Sequence, residues 1–341
     1  NRLPVTAPGK AGAAFTNRCC ALEQIQMKQI DSIEELNEVK LLKREDIEDK
    51  LWNGCVHFSP FGLPYAYTWY LDNITEEWEG LMLGEYEAVM PLIKGRKLGV
   101  DYLYNPVFAQ QLGIFATFKL DDFYMNRFLD AIPDDYRFVE FRMNEGNPIQ
   151  RDDFDISERV NLHLDLNRTY EQIAEGYKQN LRRNIKKGEK AELKFSPQLK
   201  IETFIDFYVE HTGSRIKEFK ERHKYSLMRN VYKAIAYSVG SLYAVRDPNG
   251  ELLAAAFYMF TPSRLIHLSN AVSPKGKETG AMHFLVDRLV RINAYKPKVL
   301  DFEGSMIPSI ARFYESFGAT PVPYWEIKRN RLPWYAKPFK R

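Results

Sequence analysis

One order of secondary-structure elements occurs twice along the sequence, and this repetition limits the chain to folds built from two similar α/β units. In each copy, strands joined by short turns come first, then a helix, then one more strand. The first copy predicts strands at 81–83, 86–93 and 100–104, turns at 84–85 and 94–97, a helix at 120–131 and a strand at 137–143. A repeat this long is typical of duplicated domains rather than of a solenoid.

The second copy follows the same order and contains the clearest turn. In Asp247-Pro248-Asn249-Gly250, proline presets the corner and glycine can take positive φ. This copy predicts strands at 241–246, 252–260 and 265–272, a turn at 261–263, a helix at 281–294 and a strand at 299–302. The segments 138–142 and 299–303 therefore occupy equivalent positions in the two copies.

Length and composition agree with two globular domains. The chain has 341 residues, of which 45% are hydrophobic and 27% charged. No apolar run approaches the roughly eighteen residues that a membrane span needs. We predict a poorly ordered N-terminal extension at 1–27, a first domain at 28–165 and a second at 166–341. A capping box at 32–35 predicts the first helix.

Charge and cysteine content narrow the class of protein further. A net charge of +3 tolerates an anionic ligand but is small for a dedicated nucleic-acid-binding domain. Cys19, Cys20 and Cys55 are odd in number and lack zinc spacing, which favours reduced thiols and a cytoplasmic location. The histidines form no metal-binding or triad pattern, so we predict no metal.

The segment 273–282 links a predicted strand to a predicted helix. Such a turn presents backbone N–H groups at a helix N-terminus and can bind an anion, although an ordinary loop is the alternative. The segment resembles the pyrophosphate loop of GNAT N-acyltransferases, whose pattern is Gln/Arg-x-x-Gly-x-Gly/Ala. The resemblance implies that this loop binds acyl-CoA. The candidate cofactor-binding residues are Lys275, Lys277, Gly280, Ala281 and Met282.

Two other segments extend the resemblance. The run 310–319 is similar to the closing GNAT helix, although its aromatic residues also have the spacing of a packed amphipathic helix. The basic run 179–187 resembles a stretch of the Fem aminoacyl/acyltransferases. The resemblance covers about 46–337 and implies an α/β fold of two tandem GNAT domains, each a mixed twisted sheet flanked by helices. The first-half loop at 108–115 lacks the phosphate pattern, so we expect no donor site there.

The resemblance also implies roles for individual residues. In acyl transfer to an amine, the amine loses a proton and the leaving group gains one. Tyr314 is the candidate general acid, and Glu303 is the candidate base. The alternative interpretation of Glu303 is a surface carboxylate without a catalytic role. The candidate substrate-binding residues are Arg182, Arg183 and Lys186. The alternative interpretation of these basic residues is a solvated helix face. The aromatic run 58–70 is expected to pack in the core or to line an acceptor groove.

Taken together, the resemblance implies a bacterial N-acyltransferase with an acyl-CoA donor and an amine acceptor, for which a nucleotide-linked or cell-wall precursor is the candidate. Aminoacyl-tRNA-dependent Fem enzymes carry Phe-Lys-x-x-Phe-Gly in the closing helix, whereas this sequence has Tyr314 in the lysine position. An aminoacyl-tRNA-dependent transferase acting on a peptidoglycan precursor is the alternative. A GNAT-like protein that binds an anionic ligand without turnover is a further alternative.

Overall fold

The structure, a computed structural model, describes residues 38–97, 99–216, 219–304 and 306–332. The predicted extension at 1–27, the capping box at 32–35, Cys19 and Cys20 lie outside these ranges. Cys55 lies within them as a buried free thiol, and burial raises its pKa to about 12.

One mixed sheet of thirteen strands passes through both halves of the described chain. In chain order the strands are β1 (Val39–Lys43), β2 (Trp78–Leu83), β3 (Ala88–Lys97), β4 (Val100–Leu103), β5 (Phe115–Ala116), β6 (Phe138–Arg142), β7 (Asp155–Asp165), β8 (Lys194–Ser196), β9 (Gly240–Arg246), β10 (Leu252–Phe260), β11 (Arg264–Val272), β12 (Val299–Asp301) and β13 (Thr320–Asn330). Across the sheet the order is β1-β2-β3-β4-β6-β13-β7-β12-β11-β10-β9-β8, and β5 pairs with β3.

Helices cover the faces of this sheet. They are α1 (Asp49–Phe58), α2 (Thr68–Ile74), α3 (Asp122–Asp130), α4 (Tyr170–Glu175), α5 (Gln179–Lys190), α6 (Ile201–His211), α7 (Glu221–Ala236), α8 (Pro274–Thr279), α9 (Ala281–Asn293) and α10 (Pro308–Glu315), with 3₁₀ turns at Arg44–Asp46, Pro64–Ala66 and Gly213–Arg215. Among the described residues, no helix has the length and apolar character needed to cross a bilayer.

The structure confirms the α/β fold class and the duplicated order of elements. In the first half, β3 and β4 form a hairpin, α3 follows, and β6 returns parallel to β4. In the second half, β10 and β11 form a hairpin, α9 follows, and β12 returns parallel to β11. The predicted strand at 252–260 is confirmed with the same bounds. Its continuous apolar sequence suits a strand covered on both faces.

The strand β13 joins the two halves. It pairs antiparallel with β6 on one side and with β7 on the other. Glu326 in β13 reinforces the junction by accepting hydrogen bonds from Arg142 at 3.2 Å and from Arg159 at 2.9 Å. Because the sheet is continuous here, the domain boundary at 165 stays a prediction.

Two hydrophobic cores flank β10. Ala254, Ala256 and Tyr258 contribute to a core that includes residues of α4, α5, α9 and α10. Ala255, Phe257 and Met259 belong to the opposite core, which includes residues of α6 and α7 and continues into the first half. The two halves are therefore packed directly against each other on the α6–α7 face.

The predicted turn at 94–97 is wrong. These residues continue β3 and pair with Leu103, Tyr102, Asp101 and Val100 of β4. Lys and Gly are typical of turns, but Arg96 and Lys97 lie exposed at the end of a hairpin, where strand pairing costs their side chains little. The first predicted turn is longer than expected, since Tyr86 lies in it with φ +69°.

Candidate active site

The strands β11 and β12 separate at their carboxyl ends and form a wedge in the sheet. Their parallel pairing covers Arg264–Ile266 and Val299–Asp301, after which β11 continues to Val272 while β12 ends. The pairing of β11 with β10 also shifts register next to Phe257 and Tyr258, as at a β-bulge. Within the described part of the chain, no strand pairs with β11 beyond Ile266 on the β12 side.

Aromatic rings pack around this wedge. Tyr314 from α10 stacks on Phe302 with ring centroids 4.6 Å apart, and its edge meets His267 at 6.1 Å. Burial lowers the pKa of His267 to about 3, so this ring is neutral at physiological pH. Burial, with a smaller contribution from Glu303, raises the pKa of Tyr314. Tyr314 therefore keeps its proton, as a general acid must.

Glu303 lies immediately beyond the end of β12, where the wedge opens. Its backbone has φ +59°, an uncommon conformation for a residue with a side chain, and its N–H donates to Asp301 Oδ1 at 2.8 Å. The hydroxyl of Tyr65, in the first half, donates to Glu303 Oε1. Burial raises the pKa of Glu303 to about 8, against the opposing effect of the Tyr65 hydrogen bond. Glu303 can therefore exchange a proton near neutral pH.

Tyrosines from several elements surround this carboxyl. Burial is the main cause of the raised pKa values of these tyrosines, and the negative charge of Glu303 is a smaller one. The tyrosines come from the first half, α6, α10 and β13, and are Tyr65, Tyr70, Tyr208, Tyr314 and Tyr324. These phenols stay protonated. The Tyr65 hydroxyl donates to the carboxyl, whereas the Tyr70 hydroxyl donates to the carbonyl oxygen of Phe108 at 2.6 Å. Residues of both halves therefore contribute to the surroundings of this one carboxyl.

The predicted phosphate loop is a short helix followed by a left-handed residue. Ser273 caps α8, and Gly280 then takes φ +73° before α9 begins at Ala281 and Met282. A Cβ on Gly280 would lie 2.5 Å from the carbonyl oxygen of Asn184 in α5. The glycine is therefore required by its backbone conformation and by the packing of α5, and the first turn of α9 still presents N–H groups.

The two lysines of this segment have different surroundings. Lys275 Nζ lies 2.6 Å from Asp247 Oδ2 and 2.5 Å from Glu251 Oε2, so it is held to the turn after β9. Lys277 is exposed. Of the two, Lys277 is the better placed to meet an anion from solvent.

The basic run forms α5, which packs beside α9. Arg182 donates to backbone carbonyls of Ala174, Glu175 and Tyr177 at 2.6–3.1 Å, and so caps the end of α4. Arg183 and Lys186 are exposed on the same helix. These placements favour Arg183 and Lys186 over Arg182 for an anionic substrate, and the assignment stays a prediction.

The equivalent first-half segment has a different backbone environment. Gly113 has φ +87°, and the N–H of Ile114 donates to Asn147 Oδ1 at 2.8 Å. The Asn147 side chain therefore already accepts from the Ile114 N–H, a donor that a bound phosphate would need. Among the described residues, no group of His, Cys, Asp and Glu is arranged to hold a metal ion.

Sequence reasoning missed Tyr65 as a candidate site residue. It lies in the aromatic run at 58–70, which the sequence assigned to the core or to an acceptor groove. The structure places Tyr65 in the core, since the residue is 1% exposed, and brings its hydroxyl to Glu303, 238 positions away. The aromatic run was the available signal, but the distant partner could not be identified from it.

Comparisons with known proteins agree with this fold. Residues 176–295 match the acetyltransferase (GNAT) domain family. The fold is similar to that of FemX, with 12% identity and a TM-score of 0.64 over 87% of this chain and 99% of that one. It is also similar to a conserved protein of unknown function from Bacteroides thetaiotaomicron VPI-5482 (10% identity, TM-score 0.56, 85% and 98% covered) and to L-PGS from Bacillus licheniformis (11%, 0.50, 89% and 96%). Among curated proteins, none matches the sequence.

Proposed function

We propose that this chain, whose residues 176–295 match the GNAT domain family and whose fold is similar to that of FemX, transfers an acyl group from an acyl-CoA-type thioester to an amine. The observation that carries this proposal is the carboxyl of Glu303, which meets the Tyr65 hydroxyl at the open end of the wedge. Such a carboxyl, with a pKa of about 8, suits a base that removes a proton from an attacking amine.

In the proposed reaction, the amine nitrogen attacks the thioester carbon, a C–N bond forms and the C–S bond breaks. Glu303 takes the proton that the amine loses, and Tyr314 donates a proton to the departing thiolate. Backbone N–H groups of β11 beyond Ile266 stabilise the oxyanion, since they are fixed in place before the charge develops. Lys277 and the first turn of α9 would bind the donor's diphosphate, and Arg183 with Lys186 would bind an anionic acceptor.

The test measures thiol release from acetyl-CoA and longer acyl-CoA thioesters with a panel of primary amines. Glu303→Gln should lower kcat by about 10²-fold or more, the usual contribution of general acid–base catalysis, and Tyr65→Phe should also lower kcat because the carboxyl loses its hydrogen-bond donor. The chain offers a matched control, because the Tyr232 hydroxyl donates to Glu202 on the exposed α6–α7 surface. Tyr232→Phe and Glu202→Gln should leave kcat unchanged. Equal losses in both pairs would contradict the assignment.

The alternative function uses an aminoacyl-tRNA donor and a peptidoglycan precursor as acceptor. The exposed cations of α5 favour it, because a polynucleotide backbone binds basic surfaces. Transfer of a labelled amino acid from charged tRNA, with no thiol release from any acyl-CoA, would establish this donor instead. Binding of an anionic ligand without transfer from either donor would favour the non-catalytic alternative.

A further inference from the structure

A buried ionic cluster lies between the two halves, next to the candidate base but outside the steps proposed above. Arg264, the first residue of β11, is 5% exposed. Its Nη1 lies 3.0 Å from Asp301 Oδ2, and its Nη2 donates to Glu145 in the segment that follows β6. His163 Nε2 lies 3.4 Å from both Glu145 Oε2 and Asp301 Oδ2. A guanidinium this deeply buried needs both carboxylates, because an unpaired buried charge is costly.

The cluster connects directly to Glu303. Asp301 Oδ1 accepts the Glu303 backbone N–H at 2.8 Å and a hydrogen bond from Asn161 Nδ2 at 3.0 Å. Through this contact, Asp301 supports the left-handed backbone that turns Glu303 toward Tyr65. Burial alone would raise the pKa of Asp301. Its contacts with His163 and Arg264 outweigh burial and hold this pKa below the usual range. Asp301 therefore stays ionised and remains an acceptor for the backbone of Glu303.

These contacts form a continuous chain, which we call the circuit, that begins and ends in the first half. It runs from Glu145 in the first half through Arg264 and Asp301 to Glu303, and returns to the first half at Tyr65. Both ends of the circuit are therefore fixed in the half for which we predict no donor site. We propose that Glu145 and Arg264 are positioning residues, which couple the placement of the first half to the orientation of the Glu303 carboxyl.

This inference rests on the proposed function for its kinetic consequence but can be tested without turnover. The primary variant is Glu145→Gln, which keeps the side-chain volume and removes the charge, and Glu145→Ala is the harsher second variant. The matched control is Glu79→Gln, because Glu79 is also partly buried, pairs with Lys94 at 3.0 Å and accepts from Tyr136 at 2.8 Å. Thermal unfolding establishes which variants are folded.

The first measurement is the NMR titration of carboxyl-labelled glutamate, with Glu303 assigned by loss of its signal in Glu303→Gln. The Tyr65 hydroxyl contacts this carboxyl, and the other titratable groups that interact with it electrostatically are Tyr70, Tyr208, Tyr314, Tyr324 and Asp301. In Glu145→Gln we expect the pKa of Glu303 to fall by about one unit, because a displaced carboxyl regains water. An unchanged titration in folded Glu145→Gln would overturn the inference.

The second measurement is steady-state kinetics with the substrates found for the wild-type protein. We expect Glu145→Gln to lower kcat by roughly 10- to 100-fold, the scale of misplacing a reacting group by about 1 Å, with KM nearly unchanged. Glu79→Gln should alter neither the titration nor kcat, and equal losses in both variants would refute a specific positioning role. If the wild type transfers no acyl group, the proposed function fails while the titration still decides the positioning role.

Discussion

Glu303 should make the protein less stable at high pH, and replacing it with glutamine should relieve this cost. Its folded-state pKa of about 8 lies above the ordinary value of 4.5, so the folded state binds this proton more tightly than the unfolded state. The contribution to stability is therefore complete below about pH 4.5 and is lost as the pH rises through 8. Ionising the carboxyl would cost at most about 4.8 kcal/mol, and we expect about 2–4 kcal/mol because the residue is partly exposed.

The assay is chemical denaturation of the wild type and Glu303→Gln at pH 5 and pH 9. Glutamine keeps an oxygen that can accept from Tyr65, so the two proteins should have similar free energies of unfolding at pH 5. At pH 9 the variant should be more stable by about 2–4 kcal/mol, although its kcat is lower. The control Glu202→Gln, at an exposed carboxyl, should show no such gain. A difference between wild type and Glu303→Gln that does not change with pH would refute the buried-carboxyl argument.

Other predictions concern residues around the site. Tyr314→Phe should keep the stacking on Phe302 and the melting temperature while kcat falls about 10²-fold, whereas full activity would limit the hydroxyl to packing. Arg183→Ala should raise the KM of an anionic acceptor by roughly 10-fold or more, from a loss of about 1.5–3 kcal/mol, with donor binding unchanged in calorimetry. Gly280→Ala should lower the free energy of unfolding, measured by chemical denaturation, more than Gly250→Ala does. Both glycines have positive φ, but only Gly280 also lies against Asn184, and equal losses would contradict the packing argument.

Much of the fold could be predicted because local sequence and final structure agree. The Asp247–Gly250 turn and the apolar run of β10 specify a hairpin without reference to distant residues. The wrong turn at 94–97 shows the opposite case, since pairing with β4 overrides a local composition typical of turns. Strand pairing depends on partners that a local pattern does not contain.

The candidate site was less predictable because its contacts are distant in sequence. Glu303 and Tyr314 were identified through resemblance, and their chemical roles stay predictions. Tyr65 acquires its role from a partner 238 positions away. Arg182 and Lys275 were chosen for their charge, but nearby carbonyls and carboxylates engage both of them. A basic residue in a sequence shows that a cation is present, not whether it is available to a ligand.

The placement of β13 between β6 and β7 has a consequence for how the protein is made. Until residues 320–330 have left the ribosome, β6 and β7 lack the strand that lies between them in the sheet. The nascent first half therefore exposes an open strand edge while nearly 180 further residues, those between β6 and β13, are translated. Final closure of the sheet must therefore follow synthesis of β13.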